Sequence, residues 1–229
     1  MFVVLWLISG TAHAALIERL DGEAVYDTDL NITWLANVNL AVTNTFGVAG
    51  ITENTGAMNW VSANEWIAAM NVDGGAGYLG ISNWRLPTTL FPDPGCTFDP
   101  EPEITENSLG YNCSGSEMGH LFYTELGAVA QLGDIYASGD PAELAKFTNL
   151  AGSNAFWSGN EDPLLSWAAI YFQLGTSGGQ FSQSKTTVTM SVVAVADGDV
   201  AASVVPIPGA FWLFASGLIG LSSLRRKFV

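Results

Sequence analysis

Few side chains in this 229-residue chain are of a type that could act on a substrate. It has two histidines, His13 and His120, and two cysteines, Cys96 and Cys113. A serine nucleophile needs a base within hydrogen-bond reach. His13 falls in an N-terminal segment predicted to be removed, which leaves His120, and no Gly-x-Ser-x-Gly elbow occurs. A lone histidine on a short helix reads as a packing or capping residue. The 22 acidic residues form pairs by number alone. A glycosidase needs two carboxylates at a set separation across a cleft, and spacing along a chain does not specify that. The run Asp27-x-Asp29-x-Asn31 opens like a calcium loop, but Ile32 stands where the loop needs Gly, and Val38 where it needs a closing acid. It reads as a turn. Two thiols without a neighbouring His–Cys pattern do not make a zinc site. The expectation is a protein with no catalytic residue, no cofactor and no metal, and the competing class is a glycosidase-like, carbohydrate-active enzyme.

Binding chemistry has more to offer. Arg85, in Trp84-Arg85-Leu86-Pro87-Thr88, is suited to gripping a carboxylate with two parallel hydrogen bonds. Between Trp84 and Leu86, an internal ion pair or a stack on an indole is the favoured reading, which makes this five-residue string structural. Trp157, Trp167, Tyr171 and Phe172 are candidates to line a sugar-binding surface, with core packing as the default.

Charge narrows the partners. Between Ala15 and Val205 there are four basic residues, Arg19, Arg85, Lys146 and Lys185, against 22 acids, a formal charge of −18. Nucleic-acid affinity comes largely from Lys and Arg displacing counterions from phosphates, so nucleic acid is excluded as a partner.

The two ends carry export signals. Residues Met1 to Gly10 are apolar over the length of a signal-peptide core, and Ala12-His13-Ala14 is a small-x-small cleavage site, although no basic stretch precedes them. Residues 1–14 are therefore expected to be a signal peptide. From Gly209 to Leu224 there is no charged residue. As a helix this stretch spans about 24 Å, somewhat less than a bilayer core of about 30 Å. Val204 to Ile207 and snorkelling arginines supply the difference. Arg225, Arg226 and Lys227 would hold the far end on the cytoplasmic side. In an exported chain, Cys96 and Cys113 read as a disulfide.

The elements that must position these residues are legible in outline. Ala24–Asp27 and Ile32–Leu35, around an Asp/Asn-rich turn, predict a hairpin, and the residues before them read as linker. Asn59 or Ser62 caps a helix, Ser62 forming a capping box with Glu65. In that helix Ala63, Trp66, Ile67 and Met70 share one face, and Asn71 with Gly74-Gly75 ends it. Pro92, Pro94, Pro100 and Pro102 make regular structure improbable from Phe91 to Cys113. Ser116 opens a second short helix, to Leu126, with Met118, Leu121, Phe122 and Leu126 on one side. The rest alternates strands with turns: Ala155–Ser158, Trp167–Phe172, Gly179–Phe181 and Val188–Val195. Asp197-Gly198-Asp199 then closes the domain. Helices early and strands late predict an α+β fold rather than alternating parallel units.

Two stretches resemble known families. Val205-Pro206-Ile207-Pro208, the short apolar helix and the terminal Arg225-Arg226-Lys227 together resemble a PEP-CTERM sorting signal over residues 204–229. Ile207 stands where the name-giving motif has Glu. The resemblance implies recognition by an exosortase-type membrane protease and delivery to the cell surface or extracellular matrix. Between them, the order of landmarks from Ala24 to Val200 resembles the Lcl C-terminal domain family. These landmarks are Trp34, the Trp60-to-Met70 helix, Asn83 through Thr88, Ser116 to Gly127, Phe156-Trp157-Ser158 and Asp197 to Val200. This implies a C-type-lectin-like domain over 15–203, with a twisted antiparallel sheet, two short helices and long loops. Pro92 and Pro94 interrupt the helix that usually follows the Trp-Arg-Leu-Pro-Thr string, and Ala196 replaces the family's Arg before the Gly-Asp turn. Some members bind sulfated polysaccharides through basic patches, which a charge of −18 opposes. The resulting expectation is a non-enzymatic exported surface or matrix protein acting in adhesion or exopolysaccharide association.

Overall fold

The computed structural model describes residues 16–97, 108–150 and 155–200. The signal peptide at 1–14, the motif Val205–Pro208, the apolar stretch 209–224 and Arg225–Lys227 lie outside the described residues. Among the described residues, no helix is long and apolar enough to cross a membrane.

The architecture is α+β, with two antiparallel sheets. The first has strand order β1-β2-β3-β8-β4, and the second β5-β6-β7. Strands β1 (Leu16–Arg19), β2 (Ala24–Asp27) and β3 (Ile32–Leu35) form a meander, with Asp27 opposite Ile32 across the predicted turn. The segment before Ala24 is thus a strand, not a linker. It is short, and its middle residues Ile17 and Glu18 face solvent, so it lacks the buried alternation that marks a strand in sequence. The same sheet takes its other members from far along the chain: β4 (Trp84–Arg85) and β8 (Val195–Asp197). Gly198 follows at φ +80°, a conformation that is cheap only for glycine. Its N–H donates to the carbonyl of Asn31, bringing the end of the domain back to the first hairpin.

Helix α1 (Trp60–Val72) buries Ala63, Trp66, Ile67 and Met70, the face that their spacing predicts. The cap is Asn59, whose side chain accepts from the Ser62 N–H. Ser62 itself lies inside the helix, so the Ser62–Glu65 capping box does not form. The helix starts at Trp60, one residue after Asn59, and the Trp60 indole Nε1 donates to the Ser158 carbonyl. At the other end Asn71 is still helical. Its amide brackets Trp84, accepting from the Trp84 N–H and donating to the Trp84 carbonyl.

Helix α2 (Glu117–His120) runs into a wider π turn over Leu121–Glu125. Ser116 caps it by accepting from the Gly119 N–H, and Met118, Leu121, Phe122 and Leu126 are buried as expected. A one-turn helix α3 (Pro141–Leu144), capped by Asp140, was not foreseen. The second sheet is β5 (Phe156–Glu161), β6 (Ala168–Phe172) and β7 (Gln180–Ser184).

The predicted strand Val188–Val195 is mostly not a strand, because its residues lie between the two sheets. Met190 bridges Met58, Ser191 bridges Phe156, and only from Val195 does a ladder form. Its alternation serves two cores. Val193 and Val195 pack with Trp34, Phe122 and Phe172 on one side. Val192, Ala194 and Ala196 pack with Trp66, Trp84 and Trp157 on the other. Trp34, Trp66, Trp157, Phe122, Phe156 and Phe172 are all under 2% exposed, each stabilising the fold by about 2–3 kcal/mol relative to an exposed ring. The proposed order of helices early and strands late also needs correcting, since three strands precede the first helix.

Candidate functional site: an ion-pair node and an exposed tryptophan face

The Trp84–Thr88 string sits where the first sheet meets α2. Arg85, on β4, points its guanidinium between two carboxylates. Its Nη1 and Nη2 donate to Glu117 Oε2 and Oε1 at 2.8 and 2.7 Å. Its Nε and Nη2 donate to Asp197 Oδ1 at 3.0 and 2.7 Å. Glu117 Oε2 also accepts the Thr88 N–H at 2.6 Å. Arg85 and Thr88 thereby fasten β4, β8 and α2 together, and the Gly159 N–H, on the second sheet, donates to the Pro87 carbonyl. The hydrogen bonds it donates to Glu117, then those to Asp197, raise the Arg85 pKa further above its ordinary value despite its burial. This guanidinium is spoken for. It is a bracket within the fold, not an open clamp for a ligand carboxylate.

Cys96 and Cys113 form the expected disulfide, across a separation of 17 residues. The bridge closes the Pro-rich loop, whose Cys113 end lies directly against α2. A Cβ on Gly119 would meet the Cys113 carbonyl oxygen at 1.8 Å, so only glycine fits this approach. Tyr123 ties the same loop to the second sheet, accepting from the Asn112 N–H and donating to the Gly178 carbonyl. Burial pushes its hydroxyl up to about 12.

His120, on the same helix, places Nε2 3.1 Å from Glu125 Oε1. That hydrogen bond raises its pKa, with burial opposing and the charge on Asp27 adding to the rise. Asp27 Oδ1 accepts from the Asp29 and Leu30 N–H groups, the turn its sequence predicts.

The aromatic quartet separates. Trp157 and Phe172 are buried and Tyr171 is half-buried, but Trp167 is 58% exposed. It ends the β5–β6 connection, where Asp162 Oδ1 accepts from the Leu164 and Leu165 N–H groups and stiffens the turn. Leu164 and Leu165 are exposed beside it in sequence. Lys185 links this turn to Trp60: its N–H donates to the Trp167 carbonyl, and its own carbonyl accepts from the Trp60 N–H. The Lys185 ammonium lies 5.6 Å from the Trp60 ring centroid and 3.0 Å from Glu161 Oε1. The sequence signal missed here was Asp162-Pro163, a turn former that puts Trp167 at the end of a loop rather than within a ladder.

Each of the four basic residues between Ala15 and Val205 is paired: Arg19 with Asp199, Arg85 with Glu117 and Asp197, Lys146 with Glu143, and Lys185 with Glu161. None is left to form a cationic patch.

No family model, no curated protein and no solved structure matches the chain.

Proposed function

We propose that this chain is a non-enzymatic, exported cell-surface or matrix protein. It would be processed at Val205–Pro208 by an exosortase-type protease and hold a neutral extracellular polysaccharide through a C-type-lectin-like domain. The observation that carries this reading is the Cys96–Cys113 disulfide, since such bonds persist in oxidising compartments outside the cytosol. The apolar ends and the basic tail agree with export and sorting. A neutral glycan is favoured over a sulfated one because every Lys and Arg of the domain already faces a carboxylate. The exposed Trp167, on its stiffened turn, is the surface on which a sugar ring would stack.

An array of polysaccharides probed with the mature protein tests the binding. Neutral glycans should be retained without release of shorter products, and Trp167→Ala should weaken retention about tenfold, as loss of one stacked aromatic does. Turnover would establish the enzymatic alternative instead, and retention of sulfated glycans alone would overturn the neutral assignment. For sorting, mass spectrometry of the surface fraction should find the chain ending near Val205-Pro206. An intact Arg225-Arg226-Lys227 terminus there would refute cleavage.

A further inference from the structure

Asp27, His120 and Glu125 come from the first hairpin and from the α2 region, more than ninety residues apart in the case of Asp27 and His120. One ligand-type atom from each, a carboxylate oxygen or an imidazole nitrogen, lies within 4.8 Å of the others. Asp27 is fully buried, the Glu125 side chain is 1% exposed and that of His120 16%. Two carboxylates therefore sit out of water with one imidazole as their only cationic neighbour among the described residues. Buried charges are paired or bind a metal, and this pairing is short by one. Asp27 Oδ1 spends itself on two backbone N–H groups, and Oδ2 has only a 3.5 Å contact with Trp34 Nε1. Glu125 hydrogen-bonds to His120 through one oxygen and has no other hydrogen bond among the described residues. Its second oxygen accepts no hydrogen bond among the described residues.

We propose that Asp27, His120 and Glu125 bind one first-row divalent cation of the zinc class. A neutral imidazole and two carboxylates carry a charge of −2, which such an ion cancels. Zinc accepts this mixed nitrogen and oxygen set at about 2.0–2.2 Å. Calcium takes oxygen ligands at greater number and distance, and imidazole directs the choice to transition metals. Two atoms bound to one tetrahedral zinc lie about 3.4 Å apart, so the most widely separated of these groups draw together by up to about 1.4 Å, shared between two side chains. A fourth position remains for solvent on the partly exposed His120 side, with Asp29 adding negative charge nearby. The ion would clamp the first hairpin to the α2 region. The other set of ligand-type groups among the described residues, Asp93 with Cys96 and Cys113, makes no such demand. Its sulfurs are in the disulfide, and both Asp93 oxygens accept backbone N–H groups from Gly95 and Gly115.

The test uses the full-length protein in detergent, stripped with chelator and titrated with zinc chloride while bound metal and Tm are recorded. One zinc per chain is expected, with Tm raised by about 5–10 °C at a hundredfold excess over Kd. Glu125→Gln keeps the shape and a hydrogen-bond acceptor for His120, so it should fold as the parent by circular dichroism, yet bind zinc at least tenfold more weakly. His120→Ala should do the same. Zinc binding that these substitutions leave unchanged would mean adventitious surface carboxylates and overturn the proposal, as would no bound zinc at all. Calcium stabilisation without zinc stabilisation would overturn the choice of ion. Neither glycan retention nor C-terminal processing enters this readout, so its outcome is separate from that of the surface function.

Discussion

Two places in the molecule set a pair of carboxylates around one cationic side chain, and they are not equivalent. At Arg85 a planar guanidinium with five donors meets Glu117 and Asp197, and four of its N–H···O contacts go to carboxylate oxygens. At His120 an imidazole meets Glu125 directly while Asp27 stands by with its charge unmatched. The difference lies in donor count and burial. Asp197 is 72% exposed in its side chain and keeps its water, whereas Asp27 and Glu125 have lost theirs. The Arg85 node is complete as it stands; the His120 cluster has one cationic group for two buried carboxylates. Both ride on the segment that Ser116 caps and the disulfide closes, because Glu117 opens it and Glu125 ends its π turn.

The largest effect should come from releasing that shared segment. Replacing Cys96 and Cys113 together by Ala removes the loop constraint and should cost about 3 kcal/mol, read as a lower Tm and as loss of zinc affinity along with it. A Tm unchanged by reduction would show that the two clusters are held by packing alone. Next, Arg85→Ala leaves Glu117, mostly buried, without its partner. Full burial makes such a loss worth about 3–5 kcal/mol, and the exposure of Asp197 argues for about 2 kcal/mol here. Zinc affinity should stay unchanged, since the node and the cluster are separate. A fall in both would join them into one network.

The smallest effect has the opposite sign. Asp27→Asn retains an acceptor for the Asp29 and Leu30 N–H groups but removes an unmatched buried charge, so the metal-free protein should gain about 1 kcal/mol. Acidity should sharpen the contrast. Burial raises the Asp27 pKa from 3.8, and the Glu125 hydrogen bond raises that of His120 from 6.5, with Asp27 and Asp29 adding to it. Both groups hold protons more tightly when folded, so the folded state binds more protons and stability falls as pH rises. The His120 contribution is fully present below 6.5 and is lost as pH climbs through its raised folded value; the loss from Asp27 begins above 3.8. A melting series on metal-free protein should show this slope, flattened in Asp27→Asn and unaltered in Arg85→Ala.

Local pattern carried the sequence reading as far as it went. The hairpin around Asp27, the α1 face of Ala63, Trp66, Ile67 and Met70, the Ser116 cap and the Cys96–Cys113 bridge each depend on residues near one another in the chain. Turn chemistry, 3.6-residue periodicity and loop closure are all short-range. The strand β1 went unread because it presents no apolar alternation, and Val188–Val195 was read as a strand because its alternation is real but feeds two cores instead of one sheet face. Trp167 was grouped with its buried neighbours, although Asp162-Pro163 turns it outward.

Composition and spacing by themselves determined an acidic chain with apolar ends, a stapled Pro-rich loop and an α+β core. Which partner each charge would find was decided only by the tertiary structure. Arg85 meets Glu117 and Asp197 across separations of 32 and 112 residues, and Asp27 meets His120 and Glu125 from more than ninety residues away in the chain. Coulombic and hydrogen-bond energies depend on distance in space and on the water left around each group. Neither quantity is written along a chain until the sheets and α2 have closed around it.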